Sequence, residues 1–321
     1  MIRKKYECSD DLEEIVLIES IDDLQNITEN KKSLMWFRGV SRASYRLVPK
    51  VIRNAQVISD QFGRYVDPTI VRFNDSGDEY LFPNFMKMLD VFRRTVSNKE
   101  ICNAITDFDW LFIAQHYGLP TPLLDWTTDF FVALWFATEE TQDMASFEEQ
   151  LKEDEIYNPL NNIERYELSG DLSAIYMINP SEINKMSIDF KNVKDPIDVD
   201  EYYDLMKAFL NTGERPFSPL CIKGKDIDIR LRNQKGNFTI HGLNIWPIDY
   251  YTVFRNKLTK ILIPSELRKD IKKYLEDMGI NRNFIYNGFD PKEYAAKAIE
   301  IYENENFNRS IATIRNNSSK A

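Results

Sequence analysis

The chain has 321 residues, of which 43% are hydrophobic and 13% aromatic, enough to bury a dense core in one large domain or two smaller ones. Its net charge of −10 and isoelectric point near 5.0 exclude broad, sequence-independent binding to a phosphate backbone, which needs a basic stripe. A local basic pocket stays open.

Residues 11–29 read as a short surface helix, followed by a strand over 33–40 that ends at a glycine. Alternation puts Leu34, Trp36 and Arg38 on one face of that strand and Met35 and Phe37 on the other. Residues 55–80 are polar and irregular and read as a long loop. The helical spacing of Phe85, Leu89, Phe92 and Val96 predicts an amphipathic helix over 82–97. Two further helices, 99–106 and 108–116, are stopped by Gly118 and Pro120. Leu123 to Thr127 has strand character, and Asp129 is placed to cap a helix from Phe130 to Thr138. That helix is apolar on all sides, so it belongs inside the fold.

The acidic stretch 139–168 reads as a solvent-facing insertion, and Ala174 to Ile178 as a strand. A helix is expected around 199–211, then strands over 237–241 and 258–263 and helices over 265–278 and 291–303. The tail after 306 is expected to be flexible. No repeat and no Pro/Gly/Ser-rich linker divides the chain, so the expectation is an N-terminal helical lead-in over 1–30, one domain over 31–305 and the tail.

Cys8, Cys102 and Cys221 are few, odd in number and far apart, which leaves no disulfide framework and no Cys-x-x-Cys metal site. They are expected to be reduced core thiols. The first residues carry charge without an apolar signal core. The longest apolar run, Phe130 to Ala137, falls far short of the roughly 20 residues of a membrane helix. The expectation is a cytoplasmic protein without a membrane partner. The chain lacks a dinucleotide Gly-x-Gly-x-x-Gly, a Walker A loop, a Gly-x-Ser-x-Gly elbow and a His-Glu-x-x-His pair. Asp226-Ile-Asp228 could set two carboxylates on one strand face, but such pairs are usually solvated, and no metal site is assigned.

The chemistry is concentrated in three places. One is Phe37-Arg38-Gly39. The second runs from Gln115-His116-Tyr117-Gly118 through Asp125-Trp126-Thr127 into Ala133-Leu134-Trp135-Phe136-Ala137. The third is Gln234-Lys235-Gly236-Asn237-Phe238-Thr239-Ile240-His241. The protein has only two histidines, one in the second place and one in the third, and the three are read as one site. Each residue also has a structural reading. Arg38 could neutralise Asp125, His116 could favour the end of its helix, Trp126 could be core, and Gln234 and Gly236 could begin a bulged strand. In a regular strand His241 points away from Gln234, Gly236 and Phe238.

In order and density these motifs resemble the FRG domain family of bacteria and phages, which takes its name from the Phe-Arg-Gly triplet. A more distant resemblance is to mono-ADP-ribosyltransferases, which have an aromatic-Arg-Gly strand, a Ser-Thr-Ser-like strand before a helix with Ala-x-x-Phe-Ala, and a Glu or Gln at a later strand. Here the second element is Asp-Trp-Thr and the third is Gln234. The resemblance implies an α+β fold with a mixed or split central sheet flanked by helices, ADP-ribosyltransferase-like, with helical insertions. It implies NAD as substrate, with no permanently bound cofactor, and ADP-ribosyl transfer to a protein or nucleic acid, or NAD hydrolysis. A toxin or anti-phage effector with a cognate antitoxin or inhibitor fits the same analogy.

Cleaving nicotinamide from ribose builds positive charge on the sugar, as in glycoside cleavage. On this reading Arg38, Gln234 and His116 are catalytic. Arg38 supplies forked hydrogen bonds to a phosphate or ribose oxygen, and Gln234 orients a ribose hydroxyl or an acceptor. Tyr117 and Trp126 stack on rings, Asp125 and Thr127 bind ribose hydroxyls, and Phe37, Gly39, Phe238 and His241 complete the binding set. The rival readings are a non-catalytic nucleotide-sensing or interaction module and a metal-dependent nuclease using Asp and His.

Overall fold

The computed structural model describes residues 2–5, 14–29, 34–53, 55–59, 79–96, 104–139, 172–187, 193, 195–210, 216–242, 244, 247–249, 252–287 and 291–318. The chain opens with β1 (Ile2–Lys5), β2 (Glu14–Leu17), α1 (Ile21–Glu29), β3 (Trp36–Val40), α2 (Lys50–Arg53), β4 (Gln56–Ser59) and β5 (Glu79–Leu81). Next come α3 (Phe85–Val96), α4 (Asp107–His116), β6 (Leu123–Thr127), α5 (Phe130–Thr138), β7 (Leu172–Ile178) and α6 (Pro180–Lys185). Then follow α7 (Tyr203–Met206), β8 (Leu220–Ile222), α8 (Ile229–Asn233), β9 (Gly236–Ile240) and α9 (Thr252–Arg255). The last elements are β10 (Leu258–Pro264), α10 (Arg268–Asp277), α11 (Arg282–Tyr286) and α12 (Pro291–Ser318).

The fold is α+β. Its eight-stranded sheet has the order β1-β2-β10-β7-β3-β6-β9-β8. It is mixed, because β2 and β10 run parallel while its other neighbours are antiparallel. One junction differs from the rest. β3 pairs with β7 over five residues and β6 with β9 over five, but β3 and β6 meet at a single pair, Phe37 with Thr127. The sheet is therefore two ladders hinged at one residue pair.

Helices cover one face of the sheet. α1, α5 and α10 close over Phe37, Ile175, Met177, Ile261 and Ile263 of the larger ladder. α3, α4 and α12 close over Leu123, Phe238 and Ile240 of the smaller one. Trp36, Val40, Leu124, Trp126 and Tyr176 pack on the opposite face. α5 is buried along most of its length, and Asp129 caps it by accepting from the Phe131 and Val132 amides. α4 is likewise buried along most of its length and starts at a capping box in which Thr106 and Asp109 satisfy each other's backbone amides.

Several expected elements differ. Residues 14–17 of the expected first helix form β2, because Glu14-Ile-Val-Leu17 carries β-branched residues that fit between β1 and β10. The expected 55–80 loop contains the paired strands β4 and β5 at its ends, and its middle lies outside the described residues. Residues 104–106 of the expected 99–106 helix lead into the Thr106 cap rather than forming helix, and 99–103 lie outside the described residues. The expected 199–211 helix shrinks to α7 and a 3-10 turn, Lys207–Phe209. α8 and α11 were not expected. α12 runs on to Ser318 through buried Glu303 and Ile311, so the segment expected to be flexible from 306 is helical through 318. The acidic stretch from 140 lies outside the described residues, as do Cys8 and Cys102. Cys221 is a buried free thiol. No helix among the described residues is long and apolar enough to cross a membrane.

Gly39 has a packing reason to be glycine. A Cβ there would stand 1.8 Å from the Ala133 carbonyl oxygen and 2.7 Å from the Ala137 amide nitrogen, so α5 rests directly on the β3 backbone. Gly39→Ala is expected to destabilise the protein by about 3 kcal/mol or more, the upper range for an overpacked core. Urea unfolding measures it, and a loss below about 1 kcal/mol would show that α5 does not pack this closely.

Candidate active site

A cleft of about 600 Å³ opens at the junction of the two ladders. Phe37, Arg38, Gly39, His116, Tyr117, Asp125, Trp126, Thr127, Gln234 and Phe238 all contribute to its wall. Three segments far apart in sequence thus converge. His241 stands apart: it is buried beyond the end of β9, and its Nε2 lies 3.2 Å from the Thr239 hydroxyl. Alternation explains this, because Phe238 and Ile240 pack under α4 while Thr239 and His241 turn to the opposite side.

Arg38 and Asp125 form the floor. The Arg38 Nη1 donates to the Asp125 backbone carbonyl at 2.8 Å and approaches its carboxylate at 3.5 Å. By alternation Arg38 belongs with Trp36 and Val40, and Asp125 with Leu123, on opposite faces. They meet because the strands part here. Burial draws the guanidinium below the usual arginine range, with Asp125 opposing the shift. The Asp125 carboxylate also accepts from Gln115 Nε2 at 2.7 Å. That amide is oriented in turn by the Thr121 hydroxyl, which donates to Gln115 Oε1 at 2.5 Å. Gln115 lay inside the recognised run, yet its role in holding a carboxylate depends on the turn that brings residue 125 back beside the helix end.

The aromatic residues mostly pack. The Trp126 ring is buried on the sheet's opposite face, with its N–H donating to Thr239 at 3.1 Å, so it is not available as a stacking platform. Phe238 stacks on Phe112 at 4.8 Å, and Phe37 meets Phe130 edge-on at 5.4 Å. The Thr127 hydroxyl accepts from the Asp129 amide at 2.9 Å and thereby joins β6 to the α5 cap. Gln234 is not at the start of a strand. It caps the C-terminus of α8, donates through Nε2 to the Ile285 carbonyl at 3.1 Å, and precedes Lys235, whose φ of 46° turns the chain into β9.

His116 is the neutral member of the site. Its Nε2 is shielded and has no hydrogen-bond partner among the described residues. Burial, then the charge of Arg230, push it down to about 3, with Asp228 opposing and Lys292 adding. It therefore works as an uncharged ring at neutral pH. The surrounding charges sit in a network that the sequence reading missed. Lys292 Nζ lies 3.3 Å from the Asp228 carboxylate and 3.1 Å from the Tyr117 hydroxyl, which itself donates to Asp228 at 3.1 Å. Burial pushes the Asp228 carboxyl up, but the Arg230 amide and Lys292 outweigh it and hold the group below the usual range. Asp228 also caps α8, and Asp226 pairs with Arg232. The two carboxylates once placed on a strand face are thus committed elsewhere, at the entry to a helix.

These contacts join the Phe-Arg-Gly strand, the Gln-His-Tyr-Gly helix end and the Asp-Trp-Thr strand in one place. Part of the chain matches the FRG domain. The family model matches residues 33–146, a stretch that runs from β3 through α5. The FRG match stops short of α8, β9 and α12, so Asp228, Arg230, Gln234, Phe238 and Lys292 lie beyond it. No curated protein and no solved structure matches the chain.

Both histidines are buried and held near pKa 3, His241 by burial alone. The folded values lie below the ordinary 6.5, so the stability that neutral burial contributes is complete above pH 6.5 and is lost as pH falls toward 3. Two-dimensional NMR of the imidazole protons is expected to show neither ring titrating between pH 5 and 8. A midpoint inside that window for either ring would contradict the placement described.

Proposed function

We propose that the FRG domain binds NAD in the cleft and cleaves the bond between nicotinamide and ribose, passing ADP-ribose to water or to a macromolecule. The observation that carries this reading is the convergence of Arg38, Asp125 and Gln234 on one cleft at a parting of the sheet. The hinged ladders, with an aromatic-Arg-Gly strand beside the Asp-Trp-Thr strand and α5 behind, support an architecture related to the ADP-ribosyltransferases. The setting would be that of a toxin or anti-phage effector, by family analogy alone.

The chemistry assigns distinct tasks. The sugar becomes cationic as nicotinamide leaves. A fixed carboxylate is the group that stabilises such charge, and Asp125 is held by Gln115 and Arg38 with nearly half of its side chain still exposed. Preorganisation of this kind is effective because no dipole has to reorient as charge develops. Gln234, tethered to α11 through its N–H, keeps its carbonyl oxygen to orient a ribose hydroxyl or an acceptor. His116 is uncharged and serves as a hydrogen-bonding partner, not as a cationic acid.

One observation favours a second reading, a nucleotide-sensing module without turnover: the ionisable groups nearest the floor are already hydrogen-bonded or neutral. A single assay separates the two. Purified protein incubated with NAD, alone and with cell lysate, is expected to release free nicotinamide. Asp125→Asn is expected to lower the rate by about 100-fold or more with an unchanged circular dichroism spectrum. NAD binding by calorimetry without nicotinamide release in either condition would sink the enzymatic reading and leave the sensing module.

A further inference from the structure

Arg230 is a buried guanidinium that no side-chain hydrogen bond among the described residues explains. It is 3% exposed and contributes to the wall of the cleft. Its Nε and Nη1 have no hydrogen-bond partner among the described residues. The rings of Tyr117 and Tyr286 hold it from two sides, with its central carbon 4.6 Å and 4.8 Å from their centroids. Cation–π contact of this kind fixes the plane of a guanidinium without using its N–H donors. The nearest carboxylate, Glu293, stands at 3.7 Å, too far for a hydrogen bond, and its side chain is 57% exposed. Buried charged donors left unmade are costly, and such groups are retained where something else completes them.

Arg38 is the less suitable anion clamp, because it already donates to the Asp125 carbonyl and faces the Asp125 carboxylate. We infer that Arg230, clamped between Tyr117 and Tyr286, is the oxyanion subsite of the cleft and takes a diphosphate. Only the identity of the molecule bearing that diphosphate rests on the reading of the cleft as an NAD site. Glu293 occupies the vicinity of the guanidinium when no anion is bound, and its exposed side chain is free to swing away. Lys297 in the same wall adds positive charge.

The test is calorimetric titration of the full chain with inorganic pyrophosphate and, separately, with ADP. Wild type is expected to bind both, and Arg230→Gln to weaken both by at least about tenfold. Tighter binding of ADP identifies a nucleotide as the source, and equal binding identifies free diphosphate. Should Arg230→Gln not fold, Glu293→Gln serves instead: removing the competing carboxylate is expected to tighten pyrophosphate binding several-fold. Absence of binding to wild type, wild-type affinity in Arg230→Gln, or no gain in Glu293→Gln would overturn the inference. Pyrophosphate binding lost in Arg230→Gln, in a protein that releases no nicotinamide, would keep this subsite and end the NAD-cleaving reading. Nicotinamide release with an unchanged KM in Arg230→Gln would do the reverse.

Discussion

A hydrogen bond from the Arg38 guanidinium to the Asp125 backbone carbonyl spans the place where the sheet comes apart. Strands β3 and β6 exchange one residue pair and then separate, which would leave edge carbonyls of β6 without partners inside the fold. A charged donor reaching across restores one of them, at a gain of about 1.5–3 kcal/mol for a hydrogen bond to a charged group. The same reach sets the cleft floor. It brings Asp125 under a fixed positive charge, while Gln115 donates to the same carboxylate oxygen that Arg38 approaches. Gly39 makes this possible from behind, because α5 presses on β3 with no side chain between them.

A second constraint ties the far wall to the first. Asp228 caps α8, Tyr117 ends α4 and Lys292 begins α12, and the three side chains bond to one another in the interior. A buried ion pair of this sort adds little stability over an apolar alternative, but removing one member costs roughly 3–5 kcal/mol. Its value is positional. The pair fixes the starts of α8 and α12 relative to the end of α4, and so holds Arg230 against the Tyr117 ring and beside His116, whose burial, with the charge of Arg230 added, keeps it neutral.

The sequence revealed the parts of the site carried by short, dense motifs. Phe37-Arg38-Gly39 and Asp125 to Thr127 set a polar side chain on a strand, and Gln115 to Gly118 sets polar side chains at a helix end closed by a glycine, and local pattern suffices to place them. Asp129 as a cap and α5 as an interior helix follow from the same kind of information. Arg230 and Lys292 were not legible, because nothing in their neighbourhoods distinguishes a buried cation from a solvated one. Their burial depends on helices α8, α11 and α12 closing over Tyr117. Gln234 was placed in the right region on the wrong element, since a five-residue helix gives too short a pattern to detect. The strand at Glu14–Leu17 was missed for a related reason: four residues next to a helix have no period of their own, and only pairing with β1 and β10 identifies them.

The charge distribution narrows what the cleft can receive. The chain as a whole carries −10, which repels a long polyanion at a distance and disfavours an extended nucleic acid. Among the lining residues, however, Arg38, Lys50, Arg230 and Lys297 face the three carboxylates Asp125, Glu293 and Glu300. Lys50 and Glu300 are paired at 2.6 Å, and Arg38 is engaged with Asp125. Glu293, loosely placed and half in solvent, is left as the weak counterion of Arg230. A ligand small enough to enter the cleft escapes most of the long-range repulsion through ionic screening, and it meets a positive group that has not spent its hydrogen bonds. On the proposal that Arg230 takes a diphosphate, the cleft demands a compact anion that can reach one particular guanidinium, which is a more selective demand than positive charge alone.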